Sequence, residues 1–388
     1  MAALVSTTDI LQAKRSYDVD SAIHQLRPDI TPFLTISRAF KGGPRTVTDP
    51  KFFWLEDDVA AFSTTVSTDY TSTSASNEIV VADSSVFLVQ DIIYNAKSLE
   101  RMRITVIVNS TTLTVVRGFP LPTSTTSTGL AAGTATNVLI RLGNLYPEGA
   151  ASRDGTSGVE VEKFNYTQII RTPYSITNTM KASKLRVGKD ELGIMHAKKA
   201  MEHKIEIERF MLFGMRNEET AIFAKTSRTM GGLFQAITTN VTVDSDGTLT
   251  ESEFNDFLET IFRYGSKRKL MLGGGTILKA INSWGKSDLQ IDPNWKKYGL
   301  DLKEYFSPFG SIGISFAEEI FRLSTQLTGT AVVIDPANVR FVILRPTKKV
   351  QIVVDMDGEK WEYVTECSLQ VTLEKTHGVL KGAIGYAA

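Results

Sequence analysis

A single cysteine, Cys367, stands among 388 residues. A disulfide framework within one chain is therefore excluded, which suits a reducing compartment. Cys367 lies in the alternating run Tyr363–Leu373 and reads as a packed thiol. Net charge is also missing: Lys+Arg and Asp+Glu are both 43. A dedicated nucleic-acid binder draws most of its affinity from a basic excess, and none exists here. Only four histidines are present, no Gly-x-Ser-x-Gly elbow occurs, and a Ser/His/Asp arrangement has little to draw on. No run approaches the ~18 apolar residues of a membrane span. The start, Met1-Ala2-Ala3-Leu4-Val5-Ser6, lacks the basic and apolar stretches of a signal peptide. What is present is ordinary globular composition, 42% hydrophobic and 22% charged, which argues against disorder over the whole chain.

Residues 1–50 read as an arm. Pro28, Pro32, Pro44 and Pro50 interrupt regular structure, with a short helix expected at Asp20–Leu26 and a flexible break at Gly42-Gly43-Pro44. Such an arm must lie on another surface. Phe52-Phe53-Trp54-Leu55 then meets Glu56-Asp57-Asp58. The aromatics call for a partner surface and the acids for water or a basic patch; the alternative is a strand end tucked under a core. Residues 68–147 are β in character: Ile79–Val81, Ile104–Val108, Leu113–Val116 and Val138–Ile140 are β-branched runs, with a hairpin at Asn109-Ser110 and an exposed loop at Pro122–Gly129. A helix is predicted over Lys189–Met215, about 40 Å long, with Ile194, Met201, Ile205 and Leu212 on one face. Thr250 and Glu253 form a capping box that starts a further helix, and Thr276–Trp284 suggests another. Val332–Ile334 and Phe341–Leu344 read as buried strands, and 346–388 returns to strands.

Three motifs suggest chemistry and each has a plainer reading. Gly285-Lys286-Ser287 echoes a phosphate loop, but Ala280 stands where the first glycine belongs and Trp284 lies inside the loop, so a helix C-terminus fits better. Asp244-Ser245-Asp246-Gly247 echoes a calcium loop. Thr242 occupies the first ligand position and the flank is strand-like, so a tight turn is expected. His196 and His203 are seven apart, unlike a metal pair at three or four; packed or solvated histidines are expected. No catalytic group, metal or cofactor is predicted.

The order of parts resembles the tailed-bacteriophage major capsid protein family, whose fold is often called the Johnson fold. Short words that resemble one branch of it recur in sequence: Thr31-Pro32-Phe33-Leu34, Phe53-Trp54-Leu55-Glu56-Asp57, Glu100-Arg101-Met102-x-Ile104, Val116-Arg117-Gly118, Gly143-Asn144, Glu148-Gly149, Asn165-Tyr166-Thr167-Gln168-Ile169, Glu206-x-Glu208 and Arg228–Leu233. The resemblance implies an α+β fold: an N-terminal arm (1–50), an extended loop (51–67 and 143–160) carrying an inserted β-rich domain (68–142), a peripheral domain with a long spine helix (161–234 and 346–388), and an α/β axial domain (235–345). It implies a structural protein, not an enzyme, that assembles in the host cytoplasm as hexamers and pentamers of itself. The product is an icosahedral virion shell around double-stranded DNA, held without sequence-specific binding. Portal, scaffold and decoration proteins are the further partners implied, and no membrane. Within it, Phe52, Phe53, Trp54, Leu55, Glu56, Asp57 and Asp58 are expected at an intersubunit contact, with Arg171, Lys181, Lys184 and Arg186 of a neighbour as basic partners. A tail or baseplate protein, and more remotely a nucleotide-dependent enzyme, remain alternative readings.

Overall fold

A computed structural model describes residues 31–40, 43–59, 61–71, 77–119, 132–149, 159–183, 191–220, 225–284, 289–290, 303–316 and 325–386. The expectations for Asp20–Leu26, Pro122–Gly129, Lys184, Arg186 and Gly285–Ser287 lie outside them. The chain divides into two compact units, one of residues 1–54 and 162–388, the other of residues 55–161.

The larger unit begins with helix α1 (Pro32–Ala39), followed by strands β1 (Arg45–Thr46) and β2 (Lys51–Glu56). Pro32 does not break this segment, as the sequence suggested. It occupies the first helical turn, where a missing N–H costs nothing. Phe33, Leu34, Ile36 and Phe40 are buried in the main core, so residues 32–40 pack on their own chain.

The smaller unit holds β3 (Ser63–Thr65), β4 (Glu78–Val80), β5 (Asp91–Asn95), β6 (Arg101–Ile107), β7 (Thr112–Val116) and β8 (Val138–Asn144). They form one sheet in the order β3-β8-β5-β6-β7-β4. Alternation along each strand turns Ile93, Met102, Ile104, Leu113, Val115 and Leu139 into its core. The turn expected at Asn109 is closed by its Oδ1, which accepts the amide hydrogens of Thr111 and Thr112 at 2.9 and 2.7 Å. Arg117 and Glu100 form a buried two-pronged ion pair at 3.0 and 2.7 Å.

The chain then returns to the larger unit through β9 (Val161–Tyr166), β10 (Gln168–Thr177), α2 (Asn178–Ala182) and the long α3 (Glu191–Phe213). Next come β11 (Asn217–Glu219), β12 (Ser227–Thr229), α4 (Leu233–Ala236), β13 (Val241–Val243), β14 (Thr248–Leu249), α5 (Glu251–Phe262), β15 (Arg268–Gly273) and α6 (Gly275–Trp284). The rest is almost all strand: β16 (Leu289–Gln290), β17 (Lys303–Ser307), β18 (Gly310–Phe316), β19 (Ala331–Ile334), β20 (Val339–Ile352), β21 (Gly358–Val371), β22 (Gly378–Lys381) and β23 (Gly385–Tyr386). Both halves of the Thr250–Glu253 capping box are formed. Asp244 and Asp246 close a turn by accepting the amides of Gly247 and Thr248.

Two sheets organise this unit. A four-stranded one runs β1-β20-β21-β10, and a seven-stranded one runs β13-β22-β19-β15-β18-β17-β16. β22 corrects the expected division, because Gly378–Lys381 joins the sheet built from the 235–345 region. It pairs with β13 and β19, a placement decided by long-range ladder bonds that local pattern does not reveal. Cys367 is buried between β10 and β20, and burial pushes its thiol up to about 12, leaving it unreactive.

The face that α3 buries also differs from expectation. His203, Ile207, Glu208, Met211 and Leu212 are buried, whereas Ile194, Met201 and Ile205 are half-exposed. The sheet opposite supplies the reason. The His203 ring nitrogens lie 2.8 Å from the Thr172 hydroxyl of β10 and 2.7 Å from the Thr365 hydroxyl of β21. Thr172 also donates to Glu206 at 2.7 Å. A polar, hydrogen-bonded seam thus docks the helix around His203, and Ile207, Met211 and Leu212 continue the buried face into the main core.

Candidate intersubunit contact surface

Strand β2 sorts its aromatic residues by alternation. Phe52 points inward and joins Val47 and Val342 in a small core, with Trp54 packed against it at a ring separation of 5.9 Å. Phe52 and Trp54 therefore pack inward on their own chain, which is the strand-end reading. Phe53 and Leu55 point the other way and are exposed. Phe53 lies 6.0 Å from Phe164 of β9. The Phe164 ring is held between the Lys51 ammonium at 4.4 Å and the Arg216 guanidinium at 4.0 Å. Arg216 also donates to the Phe164 carbonyl at 2.6 Å. This cation–aromatic stack fixes the base of β2.

Beyond Glu56 regular structure stops. Leu55 is 67% exposed, Val59 74% and Phe62 60%, with exposed Asp57 and Asp58 between them. On the returning leg Val159 is 85% exposed and Val161 54%. An isolated exposed apolar residue is unremarkable, but five on the two legs of one segment are a surface in want of cover.

Of the basic residues, Arg171 projects from β10 with Ile169 on the face opposite α3, and both are exposed. Lys181 already has a partner, donating to Glu359 at 2.6 Å. That hydrogen bond, with another from the Trp361 indole, holds the Glu359 carboxyl below its usual range. Lys181 is thus engaged within its own chain, a pairing across 178 positions that spacing does not signal. Lys184 and Arg186 lie outside the described residues.

His196 and His203 are packed. The Tyr174 hydroxyl bonds His196 Nδ1, and the His196 ring meets Trp361 edge-on at 5.4 Å. Burial lowers the pKa of His203, partly offset by Glu206. Among the described residues no group of three or more His, Cys, Asp or Glu is arranged to hold a metal ion.

A family model described as the SU10 major capsid protein matches residues 5–383. No curated protein matches the chain. Among solved structures, the capsid of Myoviridae phage XM1 is similar over 98% of this chain and 100% of that chain, at 9% identity and a TM-score of 0.47. A structure from Mycobacterium phage Bobi is similar over 100% of both chains, at 8% identity and a TM-score of 0.46. The holo-SrpI encapsulin complex from Synechococcus elongatus PCC 7942 is similar over 59% of this chain and 80% of that one, at 10% identity and a TM-score of 0.38.

Proposed function

Because the chain belongs to the SU10 major capsid protein family, we propose that many copies of it close as hexamers and pentamers into an icosahedral head around double-stranded DNA, through contacts made by the two legs that flank residues 63–144. The family is one of structural capsid proteins, and this removes both the tail or baseplate reading and the nucleotide-dependent enzyme. The α+β architecture is that of a major capsid protein. Assembly in the host cytoplasm, with portal, scaffold and decoration proteins as partners, belongs to the same proposal.

The observation that carries it is the exposure of Leu55, Val59, Phe62, Val159 and Val161. In a lone chain these side chains stand in water. Each contributes ~1.5–3 kcal/mol when a neighbour buries it, and every subunit of a shell repeats the contribution. Glu56, Asp57 and Asp58 sit among them and suit a basic surface, for which Arg171 on the exposed face of a neighbour's β10 is the best candidate. Lys184 and Arg186 extend the same basic stretch in sequence. Lys181 would take part only by sharing its bond with Glu359. Phe52 and Trp54 support the segment from inside, so the contact proper begins at Phe53. Rings close when head-to-tail contacts meet by rotation, and interfaces of this permanence bury ~2,000–5,000 Å².

The test replaces Glu56, Asp57 and Asp58 with Lys together, and separately makes Leu55→Asp. Leu55→Asp is expected to keep the circular dichroism and melting of the unassembled wild type, and in both variants shell yield, counted by electron microscopy and sedimentation, falls at least about tenfold. Normal shells from both variants would take this segment out of the interface.

A further inference from the structure

The insertion of residues 55–161 carries a groove that the shell contact does not use. Its sheet has a second face, opposite the core, which presents Ile92 and Tyr94 from β5, Arg101 and Arg103 from β6, and Val116 from β7. Where β5 meets β8 the ladder slips: Ile92 pairs with Gly143 but Ile93 pairs with Arg141, so Leu142 is extruded and 55% exposed. Gly143 takes a φ of +155°, a backbone that side chains rarely adopt, and nothing lies within 4 Å of the place a Cβ would occupy. The bulge and the missing side chain together open a groove of about 440 Å³ lined by Ile92, Arg101, Phe119, Leu142, Gly143 and Asn144.

The charge around this groove is uncompensated. Arg117 and Arg141 are neutralised by Glu100 and Asp91. Arg101 is exposed, its guanidinium 5.8 Å from the Tyr94 ring. Arg103 stands directly opposite Ile92 on the same face, and its buried Nε has no hydrogen-bond partner. Among the described residues, neither Arg101 nor Arg103 makes an ion pair.

We propose that this groove is a docking site for an acidic, apolar segment of a second protein, with carboxylates on Arg101 and Arg103 and an aliphatic or aromatic side chain over Ile92, Phe119 and Leu142. The two guanidinium groups call for carboxylates, which they bind in a two-pronged fashion. The apolar lining disfavours a bare phosphate backbone and favours carboxylates spaced by apolar residues. The volume suits two or three side chains of an extended segment, not a folded domain.

The test uses the full chain, unassembled and as shells, with a fluorescein-labelled peptide of alternating Leu and Glu and a counterpart carrying Lys for Glu. Fluorescence anisotropy is expected to show saturable binding of the acidic peptide only, weakening as salt is added. Arg101→Glu combined with Arg103→Gln should weaken it at least about tenfold. Leu142→Glu, made at an exposed position that the fold tolerates, should block it by placing a carboxylate in the groove. Absence of saturable binding overturns the proposal, as does equal binding of the Lys peptide or binding untouched by these variants. Displacement of the peptide by a short DNA duplex at equal concentration would assign the site to nucleic acid. Loss of shell yield in the arginine variant, with no peptide bound by wild type, would assign it to a neighbouring copy. The outcome is separable from that of the shell contact, because Leu55→Asp leaves the groove intact.

Discussion

Glu208 on α3 accepts the amide hydrogen of Leu34 on α1 at 3.1 Å, across 174 positions of sequence. Its other oxygen takes the Phe33 amide at 3.4 Å. Thr31, at the helix start, makes no side-chain cap, so a buried carboxylate from another helix satisfies the donors that open α1. The negative charge also complements the positive end of the α1 dipole. Glu208→Ala should strand two buried N–H groups and lower the stability of this unit by about 2–6 kcal/mol, at ~1–3 kcal/mol per stranded group. Hydrogen exchange at the Phe33 and Leu34 amides should accelerate by at least about a hundredfold. Unchanged protection there would show that apolar packing alone holds α1.

Local signals were legible where they are local in cause. The Thr250–Glu253 box, the Asn109 turn and the span of α3 each rest on neighbours within a few residues, and each was readable. The buried face of α3 was not, because it is decided by Thr172 and Thr365 on strands far away in sequence. Apolar periodicity selects Ile194, Met201, Ile205 and Leu212; Leu212 is buried, whereas the other three stay half-exposed. β5 went unrecognised for a related reason. Asp91 and Asn95 look like turn residues, yet both are buried in the sheet, where Asp91 meets Arg141 and Asn95 donates to the Tyr70 hydroxyl. In the candidate contact, the acid–aromatic segment was visible, whereas the inward turn of Phe52 and the Lys181–Glu359 bond depend on partners that only the fold supplies.

His377 makes the larger unit sensitive to acid. The Asp335 amide donates to its Nδ1 at 3.1 Å, so that nitrogen carries no proton, while Nε2–H donates to the Thr372 carbonyl at 3.1 Å. A second proton on Nδ1 would face an N–H donor in a fully buried site. Burial accordingly lowers the pKa of His377 from 6.5 to about 4. The folded value lies below the unfolded one, so the unfolded chain binds more protons between them. Stability should be complete above pH 6.5 and lost as pH falls towards 4, by on the order of 3 kcal/mol. His203, also lowered by burial, acts in the same direction. Denaturant titrations at a series of pH values check this. His377→Asn should be less stable at pH 7 but show a flatter loss below it. A wild-type midpoint constant from pH 7 to 4.5 would refute the argument.

The Glu100–Arg117 pair should behave as one unit within the insertion. Both side chains are almost wholly buried. Arg117 holds the carboxylate through Nε and Nη2, the Gly118 amide adds a third bond at 3.3 Å, and the Arg117 guanidinium sits 4.8 Å over the Tyr70 ring. Removing one partner leaves an uncompensated buried charge. Arg117→Met and Glu100→Gln should therefore each destabilise the protein strongly, Arg117→Met by about 3–5 kcal/mol, because the stranded carboxylate cannot reach water. The double variant Glu100→Leu with Arg117→Met replaces both charges by apolar groups of similar volume. It should recover most of that loss, since the desolvation cost disappears with the charges. A double-mutant cycle read by chemical denaturation measures this, and a coupling energy of at least about 2 kcal/mol is expected. If the two single losses simply add, the pair contributes only local packing. Shells assembled from the double variant should be normal, because neither residue lies on a leg of the proposed contact or lines the groove. A defect there would mean that the pair sets the geometry of the insertion and not merely its stability.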